Sequence, residues 1–180
     1  MATLDGKKIL VIATNYGVEQ DEIVVPIEQL RERGATVTVA AQETGAIQTL
    51  VGDKDPGKTV DPDTTIGGVN VQGFDALVVP GGTINADTIR TDEQAVSLVA
   101  AFVDANKPVA AICHGPWTLV EAGVLSGKTI TSFPSLQTDV RNAGAEWVDR
   151  EVQVDGGLIT SRNPDDLPAF VDAIESALTA

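Results

Sequence analysis

Along the chain, short β-branched and aliphatic runs alternate with stretches whose apolar positions recur at helical spacing. "KKILVIAT" (7–14) predicts a buried strand, and "DEIVVPIEQLRERG" (21–34) predicts a helix closed by Gly34. Pro26 lies inside that helix, where it either kinks it or marks a tight first turn. "ATVTVAA" (35–41) predicts the next strand. A polar, Gly-rich section follows (42–75), in which "TIGGVNV" reads as a short hairpin or an edge strand. "DALVVPGG" (75–82) is a strand running into a glycine turn, and "DEQAVSLVAAFVDANK" (92–107) a helix capped by Asp92. "PVAAIC" predicts a buried strand, "PWTLVEAGVL" a helix and "TITSF" a strand. "EVQVDGGLITS" predicts a hairpin turning at "DGG". "NPDDLPAFVDAIESAL" (163–178) predicts the closing helix, with Asn163 as its cap and Pro164 at its first position.

This alternation predicts an α/β fold with a mostly parallel central sheet and helices on both faces. No repeat or low-complexity linker interrupts it, so residues 1–180 read as one domain. The turn "TNYG" lacks the dinucleotide glycine fingerprint, and no lysine-bearing phosphate loop occurs; no nucleotide cofactor is expected. The N-terminal apolar run is too short for a signal peptide, and nothing approaches the roughly 20 apolar residues of a membrane span. One cysteine excludes an intrachain disulfide framework, and the expected location is cytoplasmic. Twenty-six acids against 12 bases give a net charge of −14, which repels phosphate backbones and anionic lipid. Neither nucleic acid nor membrane is therefore an expected partner. The acids are scattered, as on a well-solvated surface.

The chemistry concentrates in "KPVAAICHGPWTLVEAGVL" (107–125), which holds the single cysteine, Cys113, beside the single histidine, His114. A buried strand ends at Cys113, and Gly115–Pro116 opens a helix, so the thiol sits at a strand-to-helix elbow. Open α/β sheets present such residues at the carboxyl edge, where ligands bind, and elbow nucleophiles carry strained backbones. The free N–H groups of the helix start are expected to lower the thiol pKa and to hold an oxyanion. A small buried hydrophobe is the bland alternative for a free cysteine. Neighbouring side chains diverge in regular structure, so His114 reaches Cys113 only if the elbow is distorted. One histidine also rules out a multi-histidine metal site. Otherwise the base must be a carboxylate, and Glu19 and Glu22 in "YGVEQDEIVVP" fall at the same sheet edge. Both also suit a solvated first helical turn.

"AAICHGPWTLVEAGVLSGKTITSFPSLQTDVRNAGAEWVDREVQVDGGLITSRNPDDLPAF", with "PGG" at 80–82 and the glutamate-rich turn, resembles the PfpI-type branch of the DJ-1/PfpI superfamily over essentially the whole chain. The resemblance implies a flavodoxin-like three-layer sandwich, no cofactor or metal, and Cys113 as nucleophile. It places the thiol-bonding glutamate at Glu22 and a second acid of the motif at Glu19. It joins His114 to the cysteine, with Asp87 from a neighbouring subunit orienting the ring. The N–H groups of Gly82 and His114 fall where the oxyanion donors belong. It further implies a homodimer or homohexamer. Relatives often carry Tyr in "TSYP"; this chain has Phe133 and lacks that hydroxyl.

The activities so implied are an intracellular peptidase, or a glyoxalase or deglycase acting on reactive-carbonyl adducts in stress protection. The expected substrates are small carbonyl compounds, peptides or proteins. All of these use a thiolate attacking an electrophilic carbon while an acid moves protons. Peptide hydrolysis demands more, since an amine must be protonated and an extended chain bound, so small-carbonyl chemistry is the preferred expectation. The alternative is a redox sensor in which Cys113 is oxidised to sulfenic or sulfinic acid without turnover. Glutamine amidotransfer is rejected, because it needs a second, downstream histidine that this chain lacks.

Overall fold

The computed structural model describes residues 3–180; Met1 and Ala2, where the stretch read for a leader begins, lie outside them. Among the described residues twelve strands and six helices are formed. The strands are β1 (Lys8–Ile12), β2 (Tyr16–Glu19), β3 (Thr36–Ala41), β4 (Ile47–Val51), β5 (Asp55–Val60) and β6 (Thr64–Thr65). They continue with β7 (Ala76–Val79), β8 (Val109–Ile112), β9 (Thr129–Ile130), β10 (Glu146–Trp147), β11 (Val152–Asp155) and β12 (Leu158–Ser161). The helices are α1 (Gln20–Glu32), α2 (Thr83–Ile89), α3 (Glu93–Asp104), α4 (Pro116–Glu121), α5 (Gln137–Asn142) and α6 (Leu167–Thr179).

Seven strands form the main sheet in the order β11-β12-β8-β7-β1-β3-β6. Every neighbouring pair is parallel except β11–β12, the hairpin expected at "DGG". Alternate side chains of the central strands enter two cores. Ile9 and Val11 of β1 pack with Leu30 of α1 and Phe170 and Ile174 of α6. Leu10 and Ile12 pack with Val99 and Phe102 of α3 and Leu119 of α4. Burial on both faces is why these strands read as continuous apolar runs. It also makes the molecule a three-layer sandwich. Among the described residues no helix is long and apolar enough to cross a membrane.

Several elements depart from the sequence reading. The hairpin of the 42–75 section is β4–β5, upstream of "TIGGVNV". Its turn passes through Gly52 and Asp53, both at positive φ (63° and 57°). Asp55, Pro56 and Gly57 of β5 have poor strand propensity and are recruited by the ladder that β4 offers, so no periodicity announces them. "TIGGVNV" contributes only Thr65 to the short edge strand β6, then turns through a 3-10 segment, Ile66–Gly68. Within "TITSF" only Thr129–Ile130 is extended, and it pairs with β10 rather than with the main sheet. The helix expected over "PWTLVEAGVL" stops at Glu121, with Gly123 at φ 69° just beyond its end. Pro26 lies inside α1 rather than in its first turn. The Asp92 cap holds as read, accepting from the N–H groups of Gln94 and Ala95 (3.0 and 3.1 Å). Asn163 and Pro164 do not open the closing helix: they cap and start a 3-10 turn, Pro164–Asp166, and α6 begins after it at Leu167.

Parallel registers bring the carboxyl ends of β1, β7 and β8 together, so three loops open at one edge of the sheet. The β8–α4 elbow is closed tightly against β7. A Cβ on Gly115 would sit 2.5 Å from the Val79 carbonyl oxygen and 2.9 Å from that of Ile112, backbone that cannot yield. Gly115→Ala should therefore cost roughly 2–4 kcal/mol in urea unfolding. Gly73→Ala, where a Cβ meets nothing within 4 Å, should stay within about 0.5 kcal/mol of the parent. Equal costs would show that the elbow is not sterically fixed.

Candidate active site

Cys113 follows the last residue of β8 with φ at 62°, a left-handed backbone that a cysteine adopts only when its surroundings impose it. Its N–H donates to the Ser161 carbonyl (3.0 Å), and its carbonyl accepts from the Phe133 N–H (2.8 Å). The strain expected of an elbow is present, and it answers the question the neighbouring pair posed. The twist places His114 Nδ1 3.2 Å from Cys113 Sγ. Packing then holds the ring. Phe133 stacks on it at 4.7 Å between centroids and 24° between planes, and Trp117 meets it edge-on at 5.3 Å. Phe133 thus supplies a stacking surface for the imidazole but no hydroxyl.

Glu22, in the first turn of α1, has no exposed surface. Its Oε2 accepts from the Gly81 N–H at 2.9 Å, while Oε1 has no partner among the described residues. The carboxyl lies beside the Cys113 thiol, and a Cβ on Gly81 would run into both residues, so the "PGG" turn needs its glycine. Burial pushes the Glu22 pKa up to about 8. The Cys113 thiol and the Gly81 N–H oppose that rise, and the charges of Glu19 and Asp53 add to it. At neutral pH Glu22 is therefore a carboxylic acid with a proton to donate.

The expected lowering of the thiol pKa is overturned. Cys113 is only 6% exposed, and burial raises its pKa. An ionised Glu22 beside the thiol raises it further. The backbone N–H groups of Gly82 and His114 pull the other way, but less strongly. A helix terminus favours the thiolate, but the cost of burial outweighs it here. Thiol and carboxyl share a dry site and titrate as a coupled pair. His114 is pushed down by burial, against the charge of Asp53, and its ring is neutral at neutral pH.

The remaining candidates fall in different places. Glu19 lines the pocket, but its carboxylate is taken up by the N–H groups of Gly52 and Asp53 (3.1 Å each). Asp87 is exposed on α2 and does not line the pocket of its own chain. His114 Nε2 instead faces the hydroxyls of Ser135 (3.3 Å) and Thr83 (3.5 Å). Thr83 in turn donates to Asp53. Asp53, Thr83 and Ser135 were missed in the sequence; the one signal available was an acid beside Gly52 in a polar turn. The cavity has a volume of about 290 Å³ and is bounded by Glu19, Glu22, Asp53, Cys113, His114 and Phe133, with Asn163–Pro164 closing one side.

The family model described as the DJ-1/PfpI family matches residues 7–177. Deglycase PH1704 of Pyrococcus horikoshii is 43% identical over 164 residues, covering 91% of this chain and 95% of its own length. Protein/nucleic acid deglycase 2 of Escherichia coli is 42% identical over 165 residues, covering 91% and 93%. The crystal structure of Drosophila melanogaster DJ-1beta superposes with a TM-score of 0.86 at 32% identity, over 97% of this chain and 91% of that one. The sandwich is thus flavodoxin-like, as the resemblance implied.

The Glu22 pKa carries a stability consequence. The native state holds an extra proton between the ordinary carboxyl value of 4.5 and about 8, so stability contributed below that window is lost as pH rises through it. The loss is bounded by roughly 5 kcal/mol. Glu22→Gln removes this dependence. Relative to the parent, its melting temperature should rise progressively between pH 5 and pH ~9; a constant difference across that range would show that Glu22 ionises normally.

Proposed function

The chain belongs to the DJ-1/PfpI family, and from that premise we propose that it is a cofactor-independent cysteine enzyme acting on reactive carbonyl compounds and their protein adducts, in protection against carbonyl stress. One observation carries the reading: a thiol 3.2 Å from a neutral imidazole and beside a protonated buried carboxyl, at a small pocket. In the proposed step Sγ adds to a carbonyl carbon while the thiol proton passes to His114 Nδ1. The N–H groups of Gly82 and His114, which favour negative charge on the sulfur, would meet the alkoxide formed next to it. Glu22 keeps its proton and steadies the sulfur through an O–H donor.

The pocket favours small carbonyls over peptides. About 290 Å³ lies at the low end of the roughly 300–1,000 Å³ typical of small-ligand sites. That accommodates a short oxo-aldehyde or one modified side chain, not an extended peptide. The name of the Escherichia coli relative covers nucleic acid as well as protein. For this chain the net charge of −14 favours free carbonyls and protein side chains over a polyanion. Asp87 enters the proposal only as a group supplied by a neighbouring copy, in a homodimer or homohexamer. The proposed setting is the cytoplasm.

The test is turnover of methylglyoxal and of a methylglyoxal-modified amino acid, followed by release of hydroxy acid and free amine. Cys113→Ser should lower turnover by at least ~10³-fold with the fold intact. Slow oxidation of Cys113 that saturates at one event per chain, with no release of product, would replace the enzyme with the redox sensor.

A further inference from the structure

We infer that Asp53, acting through the Thr83 hydroxyl, fixes the tautomer of His114, so that Nε2 carries the ring proton and Nδ1 faces the Cys113 sulfur as an acceptor. The inference deepens the proposed enzyme by supplying the state in which its imidazole takes the thiol proton. It begins with which groups own protons. A carboxylate only accepts, and Asp53 accepts twice from one residue: Oδ1 from the Thr83 N–H (2.8 Å) and Oδ2 from the Thr83 hydroxyl (2.7 Å). A hydroxyl has a single proton, and that of Thr83 is committed to Asp53. What Thr83 Oγ1 turns toward His114 Nε2, 3.5 Å away, is therefore a lone pair. A hydrogen on Nε2 answers that lone pair, whereas a bare Nε2 would face it lone pair to lone pair. Ser135 Oγ, 3.3 Å from the same nitrogen, is a free rotor and adapts as an acceptor. A neutral imidazole with its proton on Nε2 leaves Nδ1 bare, and Nδ1 is the atom 3.2 Å from the sulfur.

The acid at the far end is itself held in place. Asp53 occupies a left-handed backbone (φ 57°) at the tip of the β4–β5 hairpin, and Gly52 before it lies at φ 63°. Their N–H groups are clamped by the two carboxylate oxygens of Glu19. Glu19 is thereby a positioning residue for the hairpin tip, and Asp53 and Thr83 are positioning residues for His114. The order runs from Glu19 through the Gly52–Asp53 turn, Thr83 and His114 to Cys113. Every link lies within one chain.

Because His114 is the single histidine, ring-nitrogen NMR of ¹⁵N-histidine-labelled protein reads one imidazole without ambiguity. The expected wild-type spectrum at neutral pH is the Nε2–H tautomer. Asp53→Asn preserves shape, and Asn tolerates the left-handed turn. Its oxygen stays on the Thr83 N–H, so its amide N–H₂ must face the hydroxyl, freeing that hydroxyl to donate to Nε2. The variant should therefore shift toward Nδ1–H and slow iodoacetamide alkylation of Cys113 by at least ~10-fold. Thr83→Val should lose the wild-type bias, and Thr83→Ser should retain it. A wild-type Nδ1–H tautomer overturns the inference without any variant. So do Asp53→Asn and Thr83→Val proteins that keep the parent spectrum and alkylation rate. Neither readout needs a substrate. The expected tautomer in a protein that turns over no carbonyl would sink the functional proposal alone; turnover with the opposite tautomer would sink this inference alone.

Discussion

A carboxyl with no exposed surface, set against a thiol, is the constraint around which the site is organised. Charging either group inside the fold is costly, because burial removes the water that would solvate it. Charging both is costlier still. The pair therefore keeps a proton on Glu22 at neutral pH, and negative charge on sulfur is tolerable only where donors meet it. In the proposed step those donors are the Glu22 O–H beside it and the N–H groups of Gly82 and His114, which favour charge on the sulfur. In the proposed mechanism, activation comes from arranging one proton and three donors rather than from an exposed thiolate waiting at a helix end.

The fold serves that arrangement by bringing unrelated segments to one sheet edge. Glu22 comes from the start of α1, Gly81 and Gly82 from the loop after β7, and Cys113 from the end of β8. The left-handed backbone at Cys113 costs of order 1–3 kcal/mol. It persists because Ser161 and Phe133 bond the residue on both sides and because Gly115 lets β7 close underneath. The same distortion turns sulfur and imidazole toward each other, which an ordinary strand or helix would forbid. Strain is thus the physical link between the elbow and the dyad.

Much of this was legible in the sequence, for identifiable reasons. Central strands buried on both faces show as continuous apolar runs, so the layer order and the Cys113 elbow could be read directly. Glu22 was reachable because the first turn after β1 must open at the same edge as β8. The contact between Cys113 and His114 came from the resemblance and was not legible in local spacing, since it depends on the sign of one φ angle and on Phe133 and Trp117 gripping the ring. Asp53 and Thr83 were missed because they meet only through a hairpin whose second strand carries Asp, Pro and Gly and shows no alternation. The thiol pKa was misread for a related reason. A helix terminus is visible in a sequence, whereas the depth at which a carboxyl is buried is not. Asp87 is a different matter, because in its own chain it stands clear of the pocket and any part it plays needs a second copy.

The proton on Glu22 is a property of the resting protein and can be seen without substrate. Infrared difference spectroscopy of the parent against Glu22→Gln isolates the carbonyl stretch of that one carboxyl. A protonated-carboxyl band is expected at neutral pH, fading as pH is raised through about 8. A Glu22 already ionised at neutral pH, with only carboxylate bands in the difference spectrum, would contradict it.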